Sequence, residues 1–359
     1  MQTENYPVLH SNPDILFLDA SAAFPVHESV RDAVVSVMES LSGNDSKGSY
    51  TWAQQASRII ADSRRSTAKF IGCEAQEIAF VHSASEAAKL IIQRYMQQGV
   101  TTLVYSQEDH TSVTVPIDEI PIKRHSLIYG PDGVLIIPNN IDDDPRTLFV
   151  VSHIHHLYGA ITDIAKLRTR FPRSKIIVDA SQSISRMVID VAQLDCDALF
   201  FSAQKIGGIG GVGVVYIKDQ GNVLRGIEPH TLPLHAIAAL HAAIEILNKK
   251  SMSELSLYLD RLTTLFISNA HRTVPGIVFS KGPAHSQFSC SGNGIVSFKI
   301  EGYSSLDIAM MLEDKGIYVR AADHCVDESS VDRDVVRVSM QAYTTSHDVD
   351  RLVSALANL

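Results

Sequence analysis

The sequence predicts an α/β protein, a large domain with a mostly parallel sheet flanked by helices, followed by a smaller α+β C-terminal domain. Three observations lead there. Short apolar runs recur with helix-like stretches between most of them, polar residues cluster directly after those runs, and the pattern changes beyond about residue 250. The runs occupy residues 77–81, 102–105, 147–152, 175–179 and 198–202. Continuous rather than alternating hydrophobicity marks strands buried on both faces, as parallel strands are when helices cover the sheet.

Each later element has its own signal. The glycines Gly207, Gly208, Gly210, Gly211 and Gly213 contain the spacing of a dinucleotide fingerprint, but they precede a strand-like stretch at 214–217 and not a helix, so the nucleotide reading fails. They suit a backbone that bends tightly behind Lys205. After Pro233 a helix-like stretch runs to about Lys250, and beyond it longer helices surround one alternating segment at 294–300. The expected division is therefore 16–250 for the large domain and 251–359 for the small one, with residues 1–15 packing against the latter. Residues 346–359 are amphipathic, and Ser346 followed by early acids offers an N-cap for a terminal helix.

A chain of 359 residues with 45% hydrophobic content can bury a large core, and its formal charge of -9 comes without a long run of either sign. No electrostatic footprint for nucleic acid or an anionic membrane follows. Four cysteines, at 73, 196, 290 and 325, show no paired metal spacing. Residues 1–12 are polar, and nowhere do about 18 apolar residues run together, so a cytoplasmic protein with reduced thiols is expected. The tract His153, His155, His156 resembles a metal cluster only superficially, because alternate strand positions face opposite sides, and no metal is expected. Cys73, Cys196 and Cys290 read as packing residues, and the aromatics Tyr50 and Trp52 beside Lys47-Gly48 need no function.

In open α/β sheets the ligand lies outside the carboxyl ends of the strands. Asp179 ends one apolar run and Lys205 stands three residues past another. A lysine desolvated at a strand end can serve as a Schiff-base amine, and an aspartate can keep a pyridine nitrogen protonated. A buried ion pair is the bland alternative. Ser202 and Gln204 flank the lysine and could donate to a phosphate, as could the amides of Ser83, Ala84 and Ser85 if a helix begins at Glu86.

These residues, with Phe17-Leu18-Asp19, the Asp-His-Thr-Ser-Val segment from Asp109, and the stretches Ser152 to Gly159, Gly316 to Cys325 and Val336 to Thr345, resemble the class V aminotransferase family over nearly the whole chain. Within it the chain is similar to the cysteine desulfurases and related selenocysteine lyases. The resemblance implies a type I pyridoxal 5'-phosphate-dependent transferase fold. Lys205 would carry the cofactor, Asp179 would pair with its pyridine nitrogen, and His110 would stack on the ring and shuttle a proton. Gln182 and His156 would stand near the ring oxygen. Ala84, Ser85, Ser202 and Gln204 would hold the phosphate, with Thr231 reaching the phosphate of a neighbouring subunit in a homodimer. Cys325 would be the nucleophile that takes sulfur from L-cysteine, releasing alanine and passing the sulfur to an acceptor protein or thiol. Arg337, with Arg320 nearby, would bind the substrate carboxylate, and positive charge from Arg320 and His324 would favour a thiolate.

The departures point to an altered site. His156 stands where relatives carry asparagine, Ala322-Asp323 where they carry glycine-histidine, Gln204 in place of a common histidine and Glu228 in place of a common arginine. They leave room for a C–S lyase, selenocysteine lyase or aminotransferase acting on another amino acid. A sulfur-relay scaffold without turnover is opposed by the intact Lys205, Asp179, His110 and Arg337.

Overall fold

A computed structural model describes residues 3–41, 48–218, 226–229, 231–282, 292–322, 324–325 and 334–359. Lys47, Cys290 and Asp323, each named above, lie outside the described residues. The strands run in chain order from β1 (Leu16–Phe17) through β2 (Ile78–Val81), β3 (Thr102–Ser106), β4 (Lys123–Tyr129), β5 (Leu135–Ile136), β6 (Thr147–Ser152), β7 (Lys175–Asp179), β8 (Ala198–Ser202) and β9 (Gly213–Ile217). Then come β10 (Ile277–Phe279), β11 (Ile295–Ile300), β12 (Ile317–Tyr318), β13 (Arg320–Ala321) and β14 (Val336–Ser339). The helices are α1 (Pro7–His10), α2 (Glu28–Ser40), α3 (Thr51–Ile71), α4 (Ala84–Gln97), α5 (Thr111–Asp118), α6 (Ile164–Arg170), α7 (Val191–Leu194), α8 (Leu234–Asn248), α9 (Met252–Thr273), α10 (Ser305–Glu313) and α11 (Ser346–Ala357).

Among the described residues the large sheet has eight strands in the order β2-β9-β8-β7-β6-β3-β4-β5. The five from β8 to β4 are mutually parallel, while β9, β2 and β5 join antiparallel. Strands β2, β6 and β8 are buried at every position, which is why they read as unbroken apolar runs. Because β9 reverses twice against its neighbours, β2 points the same way as β8, and the carboxyl ends of β2, β3, β6, β7 and β8 open on one edge.

The second sheet, β10-β11-β14-β13, is antiparallel throughout. The sequence suggests one alternating strand here. The structure instead pairs four short strands, and β11 is buried at five of its six positions because helices cover it. Phe266 and Leu262 of α9 pack on this sheet, whereas Ala236 to Leu247 of α8 pack on the large one. The turn between these helices is where we propose to divide the chain. The N-terminal segment meets the small unit directly: Leu16 N–H donates to Gly316 O (2.8 Å), Arg351 donates to Asp14 O (2.8 Å), and Tyr6 packs edge-on against Tyr343.

Two boundary expectations are corrected by capping. Helix α11 is capped by Thr345 rather than Ser346, since the Thr345 hydroxyl accepts from Asp348 N–H (3.2 Å) in a reciprocal capping box. Helix α4 starts at Ala84 rather than Glu86, because Ser83 Oγ accepts from Glu86 N–H (3.1 Å). Among the described residues no helix is long and apolar enough to cross a membrane.

Candidate active site

A cavity with about 730 Å³ of empty space, counted to its open mouth, lies at the carboxyl edge of the large sheet. Its walls include Ala84, Ser85, His110, His156, Asp179, Gln182, Ser202, Gln204 and Lys205, so nine of the residues singled out in the sequence converge on one space. At one end the first turn of α4 brings the Ala84 and Ser85 amides together with hydroxyls from Ser85 and Ser202, a donor set suited to an anion. Gly213 passes so close that a Cβ there would stand 2.4 Å from the Ser83 carbonyl. Gly207, at φ +88°, closes the short 3-10 turn Ala203–Ile206 that carries Lys205.

The Lys205 amine donates to the carbonyls of Ser21 (2.5 Å) and Ala22 (2.9 Å). Burial, with Arg337 nearby, pulls its pKa down to about 8. Asp179 Oδ1 accepts from Ser181 N–H (2.8 Å), and burial pushes its carboxyl up. The two therefore have separate partners and do not form the ion pair that was the bland alternative. Gln182 also donates to Ser21 O (3.0 Å). The segment from Asp19 to Ala22 is thus a shelf under the lysine. Its Ser21 and Ala22 act through backbone carbonyls and leave no side-chain signature, so only the apolar run ending in Asp19 could have pointed to it.

His110 caps α5, its Nδ1 accepting from Ser112 N–H (3.0 Å), which leaves the proton of a neutral ring on Nε2. The ring of His156 meets it edge-on at 5.2 Å. Behind them Asp109 is buried and accepts from Ser152 Oγ (2.7 Å) and Tyr129 OH (3.3 Å). All three histidines of the 153–156 tract are buried, because β6 ends at Ser152 and strand alternation no longer applies. His153 meets Ser183 Oγ (3.1 Å), His155 meets Glu108 O (2.8 Å), and burial lowers each to about 4.

Four expected residues do not line the cavity. Thr231 is exposed. Arg337 is buried, with Nη2 on Asp19 (2.7 Å) and Nη1 on His156 O (3.2 Å), and it faces Arg320 across the β13–β14 pair. Cys325 is half-buried, and its carbonyl accepts from Thr111 N–H (3.0 Å) at the first turn of α5, next to His110. Cys73 and Cys196 are raised to about 12 by burial and stay thiols. Tyr50 and Trp52 are exposed and stand apart from the cavity.

The model of the family described as Aminotransferase class-V matches residues 16–230 and 224–352. The chain belongs to the class V aminotransferase family. This is a family of pyridoxal-phosphate-dependent enzymes, and the large mostly parallel sheet with its smaller C-terminal unit is the type I fold of that class. Among its class V relatives, a cysteine desulfurase of Escherichia coli O7:K1 is 24% identical, covering 99% of this chain and 96% of its own. A cysteine desulfurase of Thermococcus onnurineus NA1, solved in its apo form, superposes with a TM-score of 0.83 at 20% identity, over 99% of this chain and 96% of the other. A NifS-like protein gives 0.83 at 20% identity over 96% and 98%.

Proposed function

We propose that this class V aminotransferase relative is a pyridoxal 5'-phosphate-dependent cysteine desulfurase, working as a homodimer in the cytoplasm. The observation that carries the reading is that the Cys325 backbone is bonded to the helix turn beside His110, a residue that lines the lysine-aspartate cavity. The residues present fit the cofactor. The first turn of α4 with Ser85, Ser202 and Gln204 would take its phosphate, Lys205 its aldehyde carbon and Asp179 its ring nitrogen. The tight passage of Gly213 past Ser83 leaves that anion end unobstructed. Thr231, being exposed, is free to reach the phosphate site of a second subunit.

When bound, the cofactor supplies an electron sink for the carbon from which a proton is lost. The protein's part follows from its own groups. With its pKa near 8, Lys205 has a neutral fraction at ordinary pH that can accept the substrate's α proton at Nζ. The shelf carbonyls of Ser21 and Ala22 hold that amine in place. His110 Nε2 can move a proton at the cavity wall. Cys325 Sγ bonds to the substrate sulfur as the carbon–sulfur bond breaks, its electron pair staying with carbon. Overall L-cysteine and the Cys325 thiol become alanine and a persulfide, which balances without an outside oxidant or reductant. An acceptor protein or small thiol then collects the sulfur.

A second reading, action on another amino acid, is favoured by Arg337, whose guanidinium is already engaged by Asp19. The test is Cys325→Ser in the loaded enzyme, with sulfide and alanine assayed together. Loss of both products with the cofactor absorbance intact is expected. Unchanged desulfuration would overturn the assignment, and turnover of a different amino acid would select the second reading.

A further inference from the structure

The class V resemblance leads one to expect asparagine where this chain has His156, and the hydrogen bonds of His156 say what it does instead. Its Nε2 lies 2.9 Å from the carbonyl oxygen of His324. A carbonyl only accepts, so Nε2 bears the proton. Burial, reinforced by His155, His110 and Arg337, holds the ring's pKa well below the usual histidine range, and the ring is neutral. Nδ1 is then a bare lone pair, and it is buried without a partner. A neutral imidazole has one N–H, and here it is committed to His324. An asparagine would bring an NH₂ group to the cavity, but this ring brings no donor.

The residue it binds precedes Cys325. The same short segment is tied twice more: His324 Nε2 meets Val335 O at 2.9 Å, and Cys325 O accepts from Thr111 N–H at 3.0 Å. Ala322 and Cys325 have φ of +61° and +56°, a left-handed backbone that side chains with a Cβ disfavour. A segment in that conformation relaxes unless tertiary bonds hold it. Three such bonds come from three places: the loop after β6, the start of α5 and the start of β14.

We propose that His156 is the positioning residue for Cys325, fixing the thiol-bearing segment through the His324 carbonyl, and that this is its task in place of a donor bond to the cofactor. The inference rests on the reading of Cys325 as the sulfur acceptor only for its consequence in catalysis. The bond itself is tested through thiol reactivity.

Two side-chain amides separate the roles. Glutamine can place an N–H near the position of Nε2, whereas asparagine reaches only to that of Nδ1. In holoenzyme without substrate, the rate of Cys325 alkylation by iodoacetamide is followed by peptide mass spectrometry, alongside the cofactor absorbance. His156→Asn should raise that rate about tenfold, the equivalent of one hydrogen bond lost, and His156→Gln should keep it near the wild-type value. Thr111→Pro gives an independent check. It removes the amide that holds Cys325 O at a first-turn position where proline is tolerated, after a residue already extended at φ −60° and ψ 144°, and the rate should rise again. Equal alkylation in wild type and His156→Asn would overturn the proposal, as would a shifted cofactor band in both His156 variants with an unchanged alkylation rate. If instead Cys325→Ser still desulfurates while His156→Asn exposes the thiol, the positioning stands and the assigned reaction falls.

Discussion

Asp109 is a carboxyl in the wrong place for a charge. It is 1% exposed, its partners are the hydroxyls of Ser152 and Tyr129, and the like charge of Asp179, at the end of β7, acts on it as well. Burial pushes its pKa up to about 7. Between about pH 4 and that value the folded protein keeps a proton that the unfolded chain has released. The Asp109 contribution is therefore complete below about pH 4 and is lost as pH rises through 7. Asp109→Asn, which cannot titrate, should lose less stability than wild type between about pH 4 and about pH 8, by on the order of a few kcal/mol in denaturant unfolding. Identical pH slopes would mean that Asp109 is ionised in the fold. The sequence could not single this residue out, since Glu108, Asp109 and His110 are three polar residues in a row and only burial distinguishes them. Lys205 and Asp179 were legible because a charge at the end of an apolar run is costly without a purpose.

Strand β2 is the outer edge of the large sheet, and a bare edge invites pairing with other chains. Here side chains close it. Phe80 N–H donates to Glu228 Oε1 (2.9 Å), the Ile78 carbonyl accepts from Arg64, and Arg64 pairs with both Glu228 oxygens (2.7 and 3.0 Å) while lying 5.0 Å over the Phe80 ring. An acid suits position 228, because a guanidinium there would face Arg64. Glu228→Ala should cost about 1–3 kcal/mol, seen as a lower melting temperature, and should promote association detectable by light scattering. An unchanged melt with no association would remove the clamp from the account. The same scale explains which elements could be read. Parallel strands covered on both faces announce themselves as apolar runs, but β12 and β13 have two residues each, too few for any period. Strand β4 was missed because four of its seven positions are exposed and its sequence opens Lys-Arg-His.

At the scale of the whole molecule the larger and smaller sheets have to be held in register around the cavity, and Arg186 is among the buried side chains that span them. Arg186 follows β7 of the large sheet, yet its Nη1 donates to Asn293 O (2.7 Å) and Met340 O (2.8 Å) beside the small one. Its Nη2 reaches Ser21 Oγ (3.3 Å), on the shelf whose carbonyls hold Lys205. Gly294 packs so tightly here that a Cβ would stand 2.6 Å from Met340 O and 3.0 Å from this guanidinium. Burial pulls the pKa of Arg186 down to about 9, which marks how little water reaches it. The change of pattern near residue 250 was visible in the sequence, but this tie was not, because its acceptors are mostly backbone carbonyls more than a hundred residues away. Arg186→Met keeps the length and the apolar stem while stranding the Asn293 and Met340 carbonyls. Such a loss should cost about 2–4 kcal/mol. Since the bonds lost are among those between the two sheets, calorimetry should also show the unfolding transition splitting, with the small unit melting first. A variant that melts in one transition at the wild-type temperature would mean that the remaining contacts between the sheets suffice, and that Arg186 serves the lysine shelf alone.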